Sequence, residues 1–181
     1  QDFAASELSF KPYPSCRGSH TAVDAALALL HKHNLSADDV QSITIYNGPG
    51  EFKLLGDPVA AKRAPQSTVQ AQFSNPWVVA TTLLNGQVSL ADFTPEALTR
   101  PEVLAFTQKI NTALDESLIT QGGGVGPTRL TVTTQNGTQI TETIFTAKGE
   151  PNQPLSHQEF EQKFKDCASS AGLNSIQITA L

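Results

Sequence analysis

The chain has 181 residues, of which 39% are hydrophobic and 16% are charged, and these values fit one globular domain rather than a disordered chain. The formal net charge is −5 and no basic run of the nucleic-acid-binding kind occurs, so an anionic ligand would need a local basic patch. No apolar run approaches the roughly 20 residues of a membrane span.

The first predicted elements are a strand and a helix joined by a loop that contains two prolines. Glu7 to Lys11 alternates apolar and polar residues, which predicts a half-buried strand that the prolines end. The helix is predicted to begin near Ser19 to Thr21 and to end at Asn34. Thr21 and Asp24 have the spacing of a capping box.

A second strand and a group of helices are predicted next. Val40 to Tyr46 alternates as a strand. Glu51 to Pro65 has no clear period and predicts a long loop, in which Lys62 and Arg63 are a solvated basic pair. The helical segments are predicted at Val69–Ser74, from Pro76 to Gly86, at Leu90–Phe93, at Thr94–Leu98, and from Pro101 onward.

The hairpin signal is the clearest signal for strands in the chain. Thr112 to Ile119 predicts a further strand, and the glycines at 122–124 predict a flexible join. Thr128 to Phe145 then predicts a hairpin around Asn136-Gly137. A two-residue turn would split the apolar residues between faces, whereas a three-residue loop with left-handed Gly137 pairs Val132 with Ile140.

A closing helix completes the predicted fold. Ser156 and Glu159 form a capping box, and Gly172 ends the helix. Its predicted buried stripe is Phe160, Phe164, Cys167 and Ala168, which makes Cys167 a core thiol. Because strand runs and helix runs are segregated, residues 1–181 are predicted to form one two-layer α+β domain. Three to five mostly antiparallel strands would be covered by helices on one face.

Five chemically useful side chains fall within ten residues of the first loop. They are Lys11, Tyr13, Cys16, Arg17 and His20. A junction between a strand and a helix presents free helix N–H groups that favour anions, so the loop is a candidate anion site. The competing interpretation is a connector fixed by prolines whose polar side chains are merely solvated.

The numbers of cysteines and methionines indicate the cellular compartment of the protein and whether the sequence is part of a longer chain. Cys16 and Cys167 are too few for a disulfide framework; they fit reduced thiols of a cytosolic compartment, and a bridge between them stays open. The sequence begins at Gln1 and contains no methionine. We therefore expect it to be a processed or excised part of a longer protein.

Three blocks of the sequence strongly resemble the C-terminal part of the MmgE/PrpD family. The blocks are KPYPSCRGSHTAVDAALAL, AQFSNPWVVATTLLNGQVSLADF and GEPNQPLSHQEFEQKF, in the order and at the spacing of the family. The resemblance implies an α+β lid domain that, in the family, follows a large all-helical N-terminal domain absent here. The active site would lie in the cleft between the two domains.

The resemblance also implies the chemistry. Family members include dehydratases, decarboxylases and epimerases of small di- or tricarboxylic acids, and they need no metal or organic cofactor. The helical domain mediates dimerisation, so a homodimeric parent protein is expected, in the cytoplasm or in the mitochondrial matrix of a eukaryote. Nucleic acids and membranes are not expected partners.

Lys11 matches the lysine that opens the lid motif of the family, and His20 matches a histidine that several branches share. We expect Lys11, Tyr13 and His20 to be catalytic, and Arg17 and Cys16 to bind substrate. Lysine and arginine stabilise charge that develops on a carboxylate, and lysine, tyrosine or histidine can move the proton. The competing interpretation is structural: Tyr13 packs beneath the loop, His20 caps the helix, Cys16 fills space and Arg17 is solvated.

Three functions compete at this point. A lid of a lyase or isomerase would be inactive in isolation and would present Lys11, Tyr13 and His20 on an open surface with an apolar rim. A non-catalytic module that binds a carboxylate or a protein would enclose a pocket of its own. A purely structural fragment would show neither feature.

Overall fold

The computed structural model describes residues 7–119 and 125–180, and within them a four-stranded sheet carries its helices on one face. The α+β prediction is therefore confirmed. The strands are β1 Val40–Asn47, β2 Ile110–Leu114, β3 Thr128–Thr134 and β4 Gln139–Ile144. The spatial order is β2-β1-β3-β4, where β1 pairs parallel with β2 and antiparallel with β3, and β3 pairs antiparallel with β4.

The helices differ widely in length. They are α1 His20–His33, α2 Pro49–Glu51, α3 Val59–Arg63, α4 Thr68–Gln72, α5 Asn75–Asn85, α6 Pro101–Thr107, α7 His157–Ser170 and α8 Ser175–Thr179. A π-helical turn continues α2 over Phe52–Gly56, and 3₁₀ turns include Arg17–Ser19, directly before α1. Among residues 7–119 and 125–180, no helix has both the length and the hydropathy needed to cross a bilayer.

The core lies between one face of the sheet and the helices α1 and α5. Ile43 and Ile45 of β1 and Leu130 and Val132 of β3 are fully buried, while the residues between them are half-exposed. This alternation is the period of two of a sheet with one covered face. Each such burial contributes about 1.5–3 kcal/mol, so the packing holds α1, and the loop before it, firmly on the sheet.

Several local predictions are confirmed. Val132 lies opposite Ile140, and Gly137 has a φ of 85°, as the three-residue hairpin loop requires. Asn34 ends α1 in the left-handed conformation. The capping box of Ser156 at the start of α7 is present. Each of these features depends on residues that are close in sequence.

The predicted strand from Glu7 to Lys11 is wrong. This segment forms no strand, and Leu8 and Phe10 are 62% and 52% exposed. Its backbone is held by a hydrogen bond from the Phe10 N–H to the Gly149 carbonyl at 2.9 Å. Because Pro12 removes the next alternate donor, the segment cannot extend this single contact into a ladder.

The predicted loop from Glu51 to Pro65 is also wrong. The segment consists of short helical turns that are shorter than the window in which a helical period can be recognised. Lys62 and Arg63 are not simply solvated. The Lys62 ammonium donates to the Leu54 and Phe73 carbonyls, and the Arg63 guanidinium donates to the Ile110 carbonyl, so both side chains tie these turns to the domain.

The strand predicted at Thr112 to Ile119 begins and ends earlier, because β2 spans Ile110–Leu114. Beyond it, Asp115 accepts hydrogen bonds from the Leu118 and Ser117 N–H groups, through its carbonyl and carboxylate oxygens respectively, and these bonds close a turn. Aspartate is favoured in such turns because it bonds the nearby backbone. The flexible join predicted at 122–124 lies outside the described residues.

The buried stripe predicted for α7 is wrong. Phe160 and Phe164 are 43% and 44% exposed, and only Ala168 of the four residues is buried. Cys167 is an exposed thiol rather than a core thiol, and both it and Cys16 are free cysteines. Helical periodicity shows that a helix is amphipathic, but it does not show whether the partner of its apolar face lies in the same stretch of chain.

Candidate functional site

The site loop, defined as residues 11–20, is braced by its own serines. The Ser19 hydroxyl donates to the Cys16 carbonyl at 2.7 Å and therefore accepts from the Ser15 hydroxyl, 2.8 Å away. Lys11 lies exposed at the start of the loop, and its ammonium donates to the Ser15 carbonyl at 3.3 Å. The remaining ammonium protons of Lys11 can be offered to an anion.

Tyr13 is held by Asp24 on α1. Its hydroxyl donates to Asp24 Oδ1 at 2.6 Å, and Asp24 Oδ2 accepts from the Lys148 N–H at 2.7 Å. The predicted capping box is therefore wrong: the Thr21 hydroxyl instead donates to the Gly126 carbonyl at 2.9 Å. Burial raises the pKa of Tyr13 far above its usual range, so its phenol stays neutral, and burial also raises the pKa of Asp24.

His20 is buried, with 2% of its surface exposed. Its ring packs edge to face against Tyr13, with centroids 5.2 Å apart. Within the described part of the chain its Nε2 has no hydrogen-bond partner. Burial, together with the charge of Lys11, lowers the pKa of His20 to about 4, so the ring is neutral at pH 7.

We expect the buried neutral His20 to make folding stability depend on pH. Its pKa of about 4 lies below the value of 6.5 of an unfolded histidine, so the unfolded chain binds more protons. The stabilisation is present above pH 6.5 and is lost as pH falls towards 4. One pKa unit corresponds to 1.36 kcal/mol, which gives a loss of about 2 kcal/mol between pH 7 and pH 5.

Urea unfolding of the wild type and of His20→Gln, each across this pH range, measures that loss. Asp24 has a raised pKa and acts in the opposite sense, so the difference between the two curves isolates His20. His157→Gln, at an exposed position of α7, is the control and should leave the wild-type slope unchanged. A His20→Gln curve parallel to the wild-type curve would contradict a depressed pKa.

The Arg17 side chain is paired within the protein, and Cys16 is held through its backbone. The Arg17 guanidinium forms a forked ion pair with Glu150, at 2.7 and 2.8 Å from Nη2 and 2.9 Å from Nε. The Cys16 N–H donates to the Gln72 carbonyl at 2.9 Å, and the side chain is half-buried. Glu150 therefore occupies the Nε and Nη2 edge of Arg17, and a substrate carboxylate can take that edge only after Glu150 is released.

Three consecutive residues, Lys148, Gly149 and Glu150, fasten this region, and we call them the clasp. The Lys148 N–H donates to Asp24, and the Gly149 carbonyl accepts from the Phe10 N–H. The Glu150 carboxylate accepts from the Arg17 guanidinium. Sequence reasoning missed the clasp, although Gly149 opens the third family block. Nothing local in the sequence indicates that residues separated by 124 and 133 positions meet.

A buried polar chain below the loop was also missed. The Thr21 and Thr128 hydroxyls lie 2.8 Å apart, the Asn47 amide donates to Thr128, and the Asn75 amide donates to Asn47. It joins the first turns of α1 and α5 to the ends of β1 and β3. The one available signal was an asparagine, Asn47, at the end of an apolar strand.

Two cavities border the site loop, but neither is formed by its candidate catalytic side chains. One includes Glu150 and the other includes Pro12 and Pro14, and neither is lined by Lys11, Tyr13 or His20. Lys11 is on open surface, whereas Tyr13 and His20 lie behind it. Within residues 7–119 and 125–180, no group of three His, Cys, Asp or Glu side chains is placed to hold a metal ion.

The sequence profile described as the MmgE/PrpD C-terminal domain matches residues 13–177. The chain belongs to the MmgE/PrpD family. This confirms the resemblance that the three sequence blocks carry, and it places most of the site loop, all of α1, the clasp and α7 within the family domain.

Two curated relatives are similar to almost the whole chain. Cis-aconitate decarboxylase of Mus musculus is 24% identical over 177 residues, which cover 90% of this chain and 33% of that protein. Cis-aconitate decarboxylase of Homo sapiens is 25% identical over 163 residues, with the same shares. The chain thus spans about a third of the length of these relatives.

Proposed function

We propose that this chain forms one side of the active site of a lyase or isomerase that acts on small di- or tricarboxylic acids. The reaction would begin with removal of a proton next to a carboxylate and would need no cofactor. Membership of the MmgE/PrpD family and the similarity to cis-aconitate decarboxylases support this proposal. The observation that carries it is an exposed Lys11 at the start of a rigid loop.

Lys11 is the residue of this chain that contacts the substrate directly in our proposal. Loss of the proton builds negative charge on the oxygens of the adjacent carboxylate, and an ammonium placed there stabilises the charge where it develops. Tyr13 and His20 belong to the same site one layer behind Lys11, and the Cys16 thiol lies along the same loop. Arg17 would exchange Glu150 for a substrate carboxylate.

A second, helical domain completes the cleft in this proposal. The exposed phenylalanines Phe10, Phe160 and Phe164 support it, because a contiguous apolar surface on a monomer marks an interface. The Phe10 and Phe160 rings are in contact, with centroids 5.0 Å apart, so the apolar surface adjoins the site loop. The parent protein would be a homodimer through its helical domain, in the cytoplasm or the mitochondrial matrix.

Proton NMR in D₂O tests the proposal. We would incubate 2-methylcitrate, cis-aconitate and iminodisuccinate separately with this chain and with the full-length protein that contains it. We expect the full-length protein alone to exchange or consume one of them. Turnover by this chain in isolation would contradict the need for a second domain. Binding without exchange by either protein would favour a non-catalytic carboxylate-binding module instead.

A further inference from the structure

We propose that Asp24 is a positioning residue of the site: it holds Tyr13 against His20 and joins both to the clasp. The inference rests on the proposed function, in which the site loop faces the substrate. Asp24 is half-buried on α1. It acts through the side chains that it orients.

The spacing along α1 makes this arrangement possible. His20 and Asp24 are four residues apart, so they lie one above the other on the same face of the helix. The Tyr13 side chain contacts both: its ring packs edge to face with the His20 ring, with centroids 5.2 Å apart, and its hydroxyl donates to Asp24 Oδ1 at 2.6 Å. A single tyrosine thus docks the site loop onto one turn of α1.

The surroundings of His20 favour one tautomer of its neutral ring. The backbone carbonyls of Ser15 and Tyr13 are the hydrogen-bond acceptors that act on the ring, and Nε2 has no partner among the described residues. Because a carbonyl can only accept, we infer that the proton of the neutral ring is on Nδ1. Nε2 therefore keeps its lone pair, in a buried position behind the loop.

The second oxygen of Asp24 extends the arrangement to the clasp. Oδ2 accepts from the Lys148 N–H at 2.7 Å, so one carboxylate joins the loop, α1 and the clasp. The charged groups that face Asp24 and Tyr13 are Lys148 and Glu159, and those that face His20 are Lys11 and Arg17. Loss of the carboxylate would leave the Tyr13 hydroxyl and the Lys148 N–H competing for one remaining acceptor.

Nitrogen-15 NMR of the histidine ring nitrogens, recorded on this chain from pH 4 to pH 8, tests the proposal. In the wild type we expect His20 to show the Nδ1–H tautomer. Asp24→Asn weakens the hydrogen bond that holds the Tyr13 side chain on α1, and Tyr13→Phe removes it. We expect water to reach the His20 ring in both variants. The titration midpoint of His20 should then rise by roughly one pH unit or more, with a mixture of tautomers.

Matched controls separate positioning from general destabilisation. Asp38→Asn removes an exposed carboxylate, and Tyr46→Phe removes a hydroxyl from a tyrosine that packs under Arg129. Neither should move the His20 signals. Unchanged His20 titration and tautomer in a folded Asp24→Asn chain would overturn the proposal. If that variant does not fold, Tyr13→Phe, which keeps the ring, decides the result in the same way.

The outcome is independent of turnover. The nitrogen signals report the geometry around His20 even if no carboxylic acid is ever a substrate. Failure of the D₂O experiment with a normal response of the His20 signals would reject the proposed function and leave the role of Asp24 in the loop intact. Exchange by the full-length protein, with unchanged His20 signals in the variants, would reject only the positioning role of Asp24.

Discussion

Lys11→Gln is expected to lower kcat/KM of the full-length protein by about 10²–10³-fold, with little change in folding stability. Glutamine keeps much of the length of the side chain and can still donate hydrogen bonds, but it removes the positive charge. Lys11 is exposed, and its ammonium has one hydrogen bond within the described residues, to the Ser15 carbonyl, so the fold does not depend on it. Steady-state kinetics on the substrate found by NMR, with thermal unfolding alongside, measures both effects.

Lys165→Gln is the matched control for Lys11→Gln. Lys165 is an exposed lysine of α7 that pairs with Glu161, one turn away. Its loss removes the same charge from the protein as a whole and should leave kcat/KM within about twofold, since an exposed pair of this kind contributes little. Equal rates for the two variants would contradict a direct role of Lys11.

Gly149→Ala is expected to lower the free energy of unfolding by about 3–5 kcal/mol. Gly149 has a φ of 88°, which costs an alanine about 1–2 kcal/mol. In addition, the new Cβ would overlap with the Phe10 carbonyl oxygen, a backbone atom that cannot rotate away. The clasp would have to move, with loss of the hydrogen bond from the Phe10 N–H.

Urea unfolding followed by the fluorescence of the buried Trp77 measures this effect. Gly137→Ala is a close control, because Gly137 has a φ of 85° and no heavy atom within 4 Å of an added Cβ. It should show only the conformational cost of about 1–2 kcal/mol. Similar losses in the two variants would show that the contact between the clasp and residue 10 contributes nothing.

The sequence predicted those parts of the fold that nearby residues determine. The hairpin register follows from a glycine and two apolar residues within a few positions, and the start of α7 follows from a serine and a glutamate three residues apart. Glu7 to Lys11 shows the limit of this reasoning. Its alternation is genuine, but a strand also needs a neighbour that can accept its pattern of donors.

The site was predicted in part for the same reason. All five candidate side chains lie in one ten-residue loop, so they could be recognised together. Their partners could not, because Asp24 had a second reasonable role as a capping residue and Glu150 lies 133 residues from Arg17. The burial of His20 could not be predicted from the sequence either, because it depends on the packing of Tyr13 against α1.

The clasp also sets an order of events in the folding of the chain. Residues 10–24 meet residues 148–150 across more than a hundred intervening positions, and such a contact is slow to form because a long loop must close first. During synthesis the clasp begins at Lys148, soon after β4 ends at Ile144, so it leaves the ribosome just after the sheet is complete. The loop that carries Lys11 therefore cannot make its contacts with the clasp before all four strands have been synthesised, and a chain truncated before residue 148 is expected to keep the sheet and lack these contacts.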